Sequence, residues 1–330
     1  MVYLGIDVAK SKLDCALLVQ PERLKVKSKK VANTHEGLVE LIVWCKKQSL
    51  SAIADWHAIL EATGIYHELA ALTLVEAGFT VSVVNPAQVK DFARGLAVRT
   101  KTDASDSVVL ARYGAMVRPA AWRPPSPEIR TLKALLTQLE AIEATLRREQ
   151  NRQEKAHCVS LPDVVRESFL LIQKSLRTEQ TRLQQAIRDH VAQHPALQTD
   201  YAYLRSIPAV GDKTACRMLA LLHGHTFRNA EQVAAYLGLV PVEHQSGTSI
   251  HRRARLSKAG DTRTRSILYM AAITAVHNNP HIRALYQRLL ARGKSKMAAL
   301  GAAMRKLVHL CFGVLKHQLP YQADWMVKAH

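Results

Sequence analysis

The chain has 330 residues, of which 48% are hydrophobic and 22% charged, a composition typical of a globular protein with room for more than one domain. Its 46 Lys and Arg against 27 Asp and Glu give a formal net charge of +19, which indicates a polyanionic partner, most often nucleic acid and less often an anionic membrane surface. The 5 cysteines are scattered and form no CxxC pair, which argues against a disulfide framework or a zinc site and fits a reducing cytoplasm.

The start of the chain, "MVYLGIDVAK", does not resemble a signal peptide, because Asp7 interrupts the apolar run. The longest apolar stretch that the pattern picks out is "ILYMAAITAV", which is too short to span a bilayer. We therefore expect a soluble, cytoplasmic protein.

The N-terminal third alternates strands with helices. Residues 2–19 predict two buried strands around the polar turn "AKSK", and "KVKSKKVANT" predicts a more polar edge strand. A helix capped by Asn33 or Thr34 follows, from about Glu36 to Gln48. "WHAILEATG" predicts a strand that ends at Glu61, "EATGIYHELAALTLVEAGF" a helix, and "TVSVVNPAQV" another strand. This order predicts an α/β fold around a mixed sheet.

A proline-rich stretch, "RPAAWRPPSP", predicts a linker, and two long helical stretches follow it. Their apolar residues recur at steps of about three and four, which is typical either of a coiled-coil arm or of two amphipathic helices packed on a core. The pattern leaves both open. The apolar positions are Leu132, Leu135, Leu139, Ile142 and Leu146 in the first stretch, and Val165, Phe169, Ile172, Leu176, Leu183, Ile187 and Val191 in the second.

From Tyr201 onward the chain is compact, helical and basic. "LRSIPAVGDKTACRML" resembles a helix-hairpin-helix, whose turn offers backbone N–H groups to a phosphate, although Ala209 stands where glycine is usual. Contact with DNA and plain helix packing are equally compatible with this segment. Residues 251–300 contain 11 basic side chains and 1 acidic one, a local charge of +10 that favours binding to phosphate backbones. The sequence therefore predicts three parts: an α/β domain at 1–120, a linker and helical arm at 121–198, and a mainly α-helical domain at 199–330.

Acidic residues stand at unusual positions in the N-terminal part. Asp7 lies inside an apolar strand, Glu61 ends another strand, and Asp103 and Asp106 open a helix three residues apart, where their charges repel each other. Carboxylates that converge in this way suit Mg²⁺, and a pair of such ions is the usual arrangement for displacing a phosphodiester oxygen. The alternative for each acid alone is structural: Asp103 as a helix cap, Asp7 as a turn residue at a strand end.

The chain resembles the transposases of the IS-one-ten type insertion sequences, the bridge-RNA-guided recombinases. The segments "YLGIDVAKSKLDCALL", "LEATGIY", "VVNPAQVKDFARG", "RTKTDASDSVVLARY" and "RPAAWRPP" carry the resemblance in the N-terminal part. "LRSIPAVGDKTA", "AAYLGLVPVEHQSGTSIHRRARLSKAGDTRTRSILYMAA" and "AAMRKLVHLCFGVLKH" carry it in the C-terminal half.

The resemblance implies a RuvC-like, ribonuclease-H-type N-terminal domain with Asp7, Glu61, Asp103 and Asp106 as a metal-binding DEDD set. It also implies that Ser246, in "QSG", attacks a DNA phosphate and becomes covalently linked to it. The composite active site would form between protomers of a tetramer built from dimers, and a Holliday junction would precede resolution. Guide RNA would supply the sequence choice, which fits a chain without a base-reading helix or zinc finger.

The residues around Ser246 are compatible with a nucleophilic serine, but they do not by themselves identify Ser246 as the nucleophile. A serine hydroxyl is a poor nucleophile without a base or metal, and nearby cations would bind the phosphate. Thr248, Ser249 and Ser257 are chemical rivals, and "SGTS" alone is more typical of a flexible surface loop, so only the resemblance selects Ser246. The expected phosphate contacts are Lys101, Arg252, Arg253, Arg255 and Lys258.

The sequence thus predicts a Mg²⁺-dependent, RNA-guided DNA recombinase that mobilises an insertion element in a prokaryotic cytoplasm, at the nucleoid when it acts. One alternative is a RuvC-like junction nuclease that hydrolyses DNA without a covalent intermediate. A second is a non-catalytic RNA- or DNA-binding protein with structural acids. An actin-like kinase or ATPase, suggested by "GID", lacks the later glycine-rich phosphate loop.

Overall fold

A computed structural model describes residues 1–20, 25–48, 52–62, 64–96, 103–156, 162–246 and 250–323, with the side chains at 20, 54, 103, 104, 243–246 and 250–254 outside the description. The chain divides into two compact units, Met1–Pro124 and Pro125–His330.

The first unit contains five strands and four α-helices within its described residues. In chain order they are β1 (Val2–Val8), β2 (Lys12–Gln20), β3 (Lys25–Ala32), α1 (His35–Gln48), β4 (Trp56–Glu61), α2 (His67–Glu76), β5 (Thr80–Val84), α3 (Pro86–Gly95) and α4 (Asp103–Val117).

The strands form one mixed sheet in the order β3-β2-β1-β4-β5. Strand β2 is antiparallel to β1 and to β3, whereas β4 is parallel to β1 and to β5. The predicted α/β class with a mixed sheet is therefore confirmed. The parallel pairing matters for function, because it brings the carboxyl ends of β1 and β4 to one edge of the sheet.

Helices cover both faces of the sheet. Alternate side chains of β1 and β4, including Leu4 and Leu60, pack with α1 and α2 in one core, whereas Tyr3 and Ile59 pack with α3 and α4 in another. This alternation follows from the two-residue repeat of a strand, and burial on both faces explains why these strands are apolar throughout.

Two helix starts differ from the prediction. Helix α2 begins at His67 rather than at Glu61, and α3 was not predicted. The sequence pattern places Asn85 and Pro86 at the close of the strand predicted from "TVSVVNPAQV". The Asn85 side chain accepts a hydrogen bond from the backbone N–H of Ala87 at 2.9 Å, and Pro86 stands in the first turn of α3.

The sheet ends in two different edges. Strand β3 carries Lys25, Lys27, Lys29 and Lys30 at one edge. At the other edge, the segment after α4 lies along β5, where Trp122 donates its backbone N–H to the Val81 carbonyl at 2.7 Å. The Ser82 hydroxyl donates to the Ala120 carbonyl at 2.8 Å and contacts Nε2 of the buried His57 at 2.7 Å.

The second unit is mainly helical, with one two-stranded sheet among its described residues. Its elements are α5 (Pro127–Ala156), α6 (Asp163–Gln193), α7 (Pro195–Arg205), α8 (Asp212–Gly224), α9 (Ala230–Tyr236), β6 (Pro241–Ser246), β7 (Ile250–Leu256), α10 (Thr262–Asn278), α11 (Pro280–Ala291) and α12 (Lys296–His317).

The long helices α5 and α6 pack antiparallel. Gln173 Nε2 donates to Gln153 Oε1 at 2.7 Å near one end of the pair, and His190 Nε2 lies 2.8 Å from the Glu128 carbonyl near the other. Near the His190 contact, apolar residues of both helices, among them Leu132 and Ile187, join the core formed by α7 to α12. Val165 and Ile172, two of the predicted seam positions, are 38% and 42% exposed. A separate coiled-coil arm therefore stays a prediction, as does the three-part layout.

Helix α12 is the one helix in the described part of the chain that is long and apolar enough to cross a membrane, by length and composition alone. Its mean hydropathy over the best window is 1.4. Leu300, Leu307, Val308 and Cys311 are buried in the core of the second unit. This burial is typical of a core helix in a globular protein.

Candidate active site

Asp7 and Glu61 lie side by side in the sheet. The last residues paired between the parallel strands β1 and β4 are Ile6 and Leu60, so Asp7 and Glu61, the next residue of each strand, lie at the same end of the sheet. Side chains of a strand point alternately to the two faces of the sheet, and Asp7 and Glu61 share the face of Tyr3 and Ile59. They therefore point to the face that α4 covers. Both are partly buried.

Helix α4 lies on β1 with almost no space between them. A Cβ added to Gly5 would lie 2.0 Å from the Ser107 carbonyl oxygen and 2.4 Å from the Ala111 nitrogen. A Cβ on Gly114, farther along α4, would lie 3.1 Å from the Tyr3 ring. Since Ser107 is over Gly5 and Gly114 is over Tyr3, α4 runs antiparallel to β1, and its N-terminus lies toward Asp7.

The start of α4 therefore approaches the strand ends that carry Asp7 and Glu61. Position 103 is one helical turn before Ser107, on the same helix face, and Asp106 is three residues further along. Asp106 is partly buried, whereas the side chain of Asp103 lies outside the described residues. The structure thus brings the backbone positions of all four predicted acids to one corner of the sheet.

The donor types at this corner suit a hard cation, because all of them are carboxylates. Among the side chains that the structure describes, no group of three or more His, Cys, Asp and Glu is arranged to hold a metal ion. Asp7, Glu61 and Asp106 are among these side chains and do not form such a group, and the side chain of Asp103 lies outside the description. The donor chemistry of the four acids fits Mg²⁺.

Asp14 is a further carboxylate at this site, and the sequence analysis did not single it out. It is the antiparallel partner of Asp7 in the β1–β2 pair, and it is 3% exposed. Lys12 Nζ and Lys30 Nζ each lie 3.2 Å from one of its carboxylate oxygens. The two neighbouring strands β1 and β2 could be predicted from the sequence, but the register that places Asp14 beside Asp7 could not. Its charge is balanced by the two lysines.

Asn33 connects the chain segments that follow β1 and β4, the strands that carry Asp7 and Glu61. Its Nδ2 donates to the Ala9 carbonyl at 3.0 Å and to the Tyr66 carbonyl at 3.1 Å. Ala9 comes two residues after Asp7, and Tyr66 comes five residues after Glu61. Asn33 was predicted as one of two candidates for the cap of α1. Its side-chain amide instead ties these two segments together, and the Thr34 hydroxyl accepts from the Gly37 N–H at 3.2 Å.

Ser246 is the last residue of β6, and the antiparallel register pairs it with Ile250 of β7. It therefore stands at the tip of a hairpin, next to residues 247–249, which are outside the described part. Arg252 and Arg253 are in β7, with side chains that are not described, and Lys101 is also outside the described residues. Arg255 and Lys258 are exposed near the base of the hairpin.

The base of this hairpin is closely packed. A Cβ on Gly238 would lie 2.2 Å from the Ala259 carbonyl oxygen, and one on Gly260 would lie 2.0 Å from the Tyr236 carbonyl oxygen. Nη1 of Arg265 donates to the carbonyls of Ala259 at 2.7 Å, Gly260 at 3.1 Å and Leu237 at 3.2 Å. These contacts join the two chain segments that lead into and out of the hairpin.

A partly buried ion-pair network lies next to the hairpin base. Arg217 contacts Asp261, pairs with Glu140 of α5 at 3.0 Å, and donates from Nε to the Thr264 hydroxyl at 2.7 Å. Burial alone would raise the pKa of Asp261, but hydrogen bonds from Thr264 and Arg217 outweigh it and lower that pKa. The network fixes the turn between β7 and α10 against α5 and α8.

The predicted helix-hairpin-helix consists of α7, a turn at 206–211, and α8. Arg205 closes the turn, because its Nη1 donates to the Val210 carbonyl at 2.6 Å and its Nε pairs with Asp212 at 2.9 Å. Ala209 has a φ of 77°, in the left-handed region that favours glycine. The two-helix geometry is present, and contact with DNA or RNA stays a prediction.

Comparisons with known proteins agree with this arrangement. A profile of transposases with a DEDD motif, from the group of the insertion sequence IS110, matches residues 4–156. The profile "Transposase IS116/IS110/IS902 family" matches residues 201–287.

Similar proteins cover most of the chain or parts of it. The pilin gene-inverting protein of Moraxella lacunata is 32% identical over 321 residues, which are 97% of this chain and 97% of that protein. A protein of the insertion element IS110 from Streptomyces coelicolor is 31% identical over 121 residues, which are 36% of this chain and 30% of that protein.

A solved structure of RuvC from T. thermophilus, in complex with a Holliday junction substrate, is also similar to part of the chain. The match covers 35% of this chain and 92% of RuvC at 16% identity and a TM-score of 0.26, too low to establish a shared fold.

The near full-length similarity at 32% identity, together with the two profile matches, shows the family. The chain belongs to the IS116/IS110/IS902 family of transposases and is a DNA transposase/recombinase.

Proposed function

We propose that this transposase is a Mg²⁺-dependent, RNA-guided enzyme of an insertion sequence, and that it cuts and rejoins DNA through a covalent phosphoserine intermediate. The observation that supports it most directly is the approach of Asp7, Glu61 and the start of α4, with Asp103 and Asp106, at one corner of a mixed sheet.

Asp7, Glu61, Asp103 and Asp106 would hold the metal. A bound Mg²⁺ would relieve the repulsion among these carboxylates and stabilise negative charge on a reacting phosphate. The domain that carries them would be RuvC-like. Asn33 would keep the segments after the two strands in place, and the ion pairs of Asp14 with Lys12 and Lys30 would keep that carboxylate out of the set.

Ser246 would be the nucleophile. Its hydroxyl oxygen would lose its proton and form a bond to phosphorus while the bond between phosphorus and one sugar oxygen breaks. The departing sugar oxygen would take up a proton, so protons balance over the step. Because one phosphodiester replaces another, no outside energy source is needed, and rejoining reverses the step. Arg252, Arg253, Arg255, Lys258 and Lys101 would contact phosphates. Ser257 is a weak rival, because its hydroxyl oxygen is buried.

DNA and a guide RNA would be the partners, in a tetramer in which the acids and the serine come from different protomers. The net charge of +19 supports polyanionic partners. Sequence choice would come from base pairing with the guide, and the site of action would be the cytoplasm, at the nucleoid.

The test is the covalent adduct. Purified protein is incubated with Mg²⁺, candidate guide RNA and labelled DNA, and the protein is then denatured and resolved from free DNA. We expect Ser246→Ala to abolish the adduct and Ser249→Ala, a matched hydroxyl removal three residues away, to retain it. An undiminished adduct in Ser246→Ala would move the nucleophile elsewhere.

The same assay separates the alternatives. Cleavage that persists in Ser246→Ala, without any adduct, would indicate a hydrolytic junction nuclease. Asp106→Asn should abolish strand cleavage while nucleic-acid binding persists. Full strand transfer by Asp106→Asn would instead indicate that the acids are structural.

Site-specific inversion of a DNA segment is a second candidate. The similarity to the pilin gene-inverting protein of Moraxella lacunata extends over 97% of both chains. A plasmid with two candidate sites in inverted orientation distinguishes the two outcomes. Inversion of the segment between the sites, without insertion into a second plasmid, would favour this candidate over transposition.

A further inference from the structure

A cavity of about 220 Å³ lies in the second unit, between α11, α12 and the segment that follows α12. Its floor is apolar, formed by residues such as Leu310, Val314 and Leu319. His281, His309 and Tyr321 add ring edges and polar atoms. The cavity belongs neither to the acidic corner nor to the serine hairpin.

The shape of the cavity depends on a helical glycine. Lys306, Leu310, Gly313 and His317 line it from one face of α12, at the spacing of successive turns. A Cβ added to Gly313 would meet nothing within 4 Å. Glycine is unfavourable in the middle of a helix, so its presence here without any close neighbour preserves space rather than packing.

Tyr321 fixes the wall opposite α12. Gln318 ends α12 in the left-handed conformation and turns the chain back. Tyr321 then donates its backbone N–H to the Ser206 hydroxyl at 2.7 Å, and its own hydroxyl lies 2.8 Å from His281 Nδ1 and 3.2 Å from Asn279 Oδ1. The wall is therefore tied to α11 and to the turn before α8.

The contacts of Tyr321 hold the His281 ring at the edge of the cavity. Nδ1 of His281 lies 2.8 Å from the Tyr321 hydroxyl. Its Nε2 is buried, so a ligand in the cavity would not reach that nitrogen.

Basic side chains gather at the same cavity. Lys306 and His309 line it, and Arg305 Nε lies 3.5 Å from His309 Nε2. Burial, with the nearby Arg288 charge, lowers the pKa of Lys306. Within the part of the chain that the structure describes, no carboxylate lies at ion-pairing distance from Lys306. Such a cluster gains stability when an anion binds.

We propose that this cavity receives one unstacked nucleobase of a single-stranded nucleic acid, with the adjoining phosphate at Lys306 and His309. The volume of about 220 Å³ is below the roughly 300–1,000 Å³ of sites for drug-sized ligands, so a single ring system fits and a whole nucleotide does not. An apolar floor with aromatic walls suits the faces of a base.

The proposal uses the nucleic-acid partner of the proposed function but neither the serine nor the metal. The test therefore uses the full-length Ser246→Ala protein in EDTA. The probes are single-stranded oligonucleotides with one 5-iodouracil, as RNA in one arm and as DNA in the other. After irradiation, crosslinked peptides are mapped by mass spectrometry. We expect crosslinks at Tyr321 or at His309, and the stronger arm identifies the source of the base.

Gly313 supplies the decisive pair of variants. A Cβ at position 313 meets no other atom within 4 Å, so Gly313→Leu would direct its side chain into the cavity while favouring the helix, and it should reduce the crosslink about tenfold. Gly313→Ala, which also favours the helix but leaves most of the space, should retain it. An undiminished crosslink in Gly313→Leu, or crosslinks only elsewhere, would overturn the proposal. Equal displacement of the probe by an abasic oligonucleotide would also overturn it, because phosphates alone would then account for binding.

Discussion

Ala209 adopts a φ of 77°, although it carries a Cβ. The left-handed region costs a non-glycine residue about 1–2 kcal/mol, and glycine loses about 0.4–1 kcal/mol more in backbone entropy when the chain folds. We expect Ala209→Gly to raise the free energy of unfolding by about 0.5–1 kcal/mol, measured by denaturant titration. Ala202→Gly, inside the preceding helix, should lower it. A lower stability of Ala209→Gly would mean that the turn does not need this conformation.

His57 is buried next to Ser82, and burial lowers its pKa below the ordinary value of 6.5. The unfolded chain therefore takes up a proton near pH 6.5 that the folded chain does not. The stability of the first unit should be complete above this pH and fall as the pH drops below it. Hydrogen exchange of the β4 and β5 amides checks this, and His57→Gln should flatten the dependence. An unchanged slope in that variant would assign the effect to other groups.

Two small residues decide how a whole element is placed. Helix α4 reaches the sheet because Gly5 and Gly114 leave room for its backbone and for the Tyr3 and Ile59 side chains. The acids themselves were predictable from sequence, as carboxylates at strand ends and at a helix start. Their proximity depends on the parallel pairing of β1 with β4 and on these close contacts, which periodicity alone does not reveal.

Gly5→Ala tests this packing. Its Cβ would overlap the Ser107 carbonyl, so α4 must move, and we expect a loss of about 1–3 kcal/mol in stability together with loss of the DNA adduct. Gly95→Ala is the matched control, because a Cβ there meets nothing within 4 Å, and it should change neither property by much. Full stability and activity in Gly5→Ala would contradict the close approach of α4 to β1.

The helices and strands that could not be predicted from the sequence have few apolar residues. Helix α3 buries Val89 and little else, so its start at Asn85 and Pro86 was taken for a strand end. The strands β6 and β7 are rich in polar and charged residues, and a hairpin of this composition gives only a weak alternating pattern. The seam of α5 was predicted more closely, since Leu132, Leu139 and Leu146 are buried.

At the scale of the whole molecule, the family and the transposase activity could be recognised from motifs in order along the chain, and the full-length relative confirms them. The mixed sheet followed from the alternation of apolar runs. The proposed nucleophile, metal and guide RNA did not follow from packing or periodicity, because a serine in a polar hairpin carries no physical mark of reactivity by itself.

The net charge of +19 should make nucleic-acid binding strongly dependent on salt. The logarithm of the affinity should fall linearly with the logarithm of salt concentration, with a slope of about −0.9 for each phosphate contacted on duplex DNA. Arg255→Gln and Lys258→Gln should each reduce that slope by about 1, whereas Lys46→Gln, an exposed lysine of the first unit, should not. Equal slopes for all three variants would place the phosphate contacts elsewhere.

The two edge strands of the five-stranded sheet, β3 and β5, are protected in different ways from pairing with strands of another molecule. The segment at 119–122 covers β5, whereas β3 presents a row of lysines to solvent, and like charges discourage the outer strand of another copy from pairing with it. Pairing of either edge strand with a strand of another copy, a common route to aggregation, is therefore disfavoured on both sides. We expect any contact between two copies of this chain to use other surfaces.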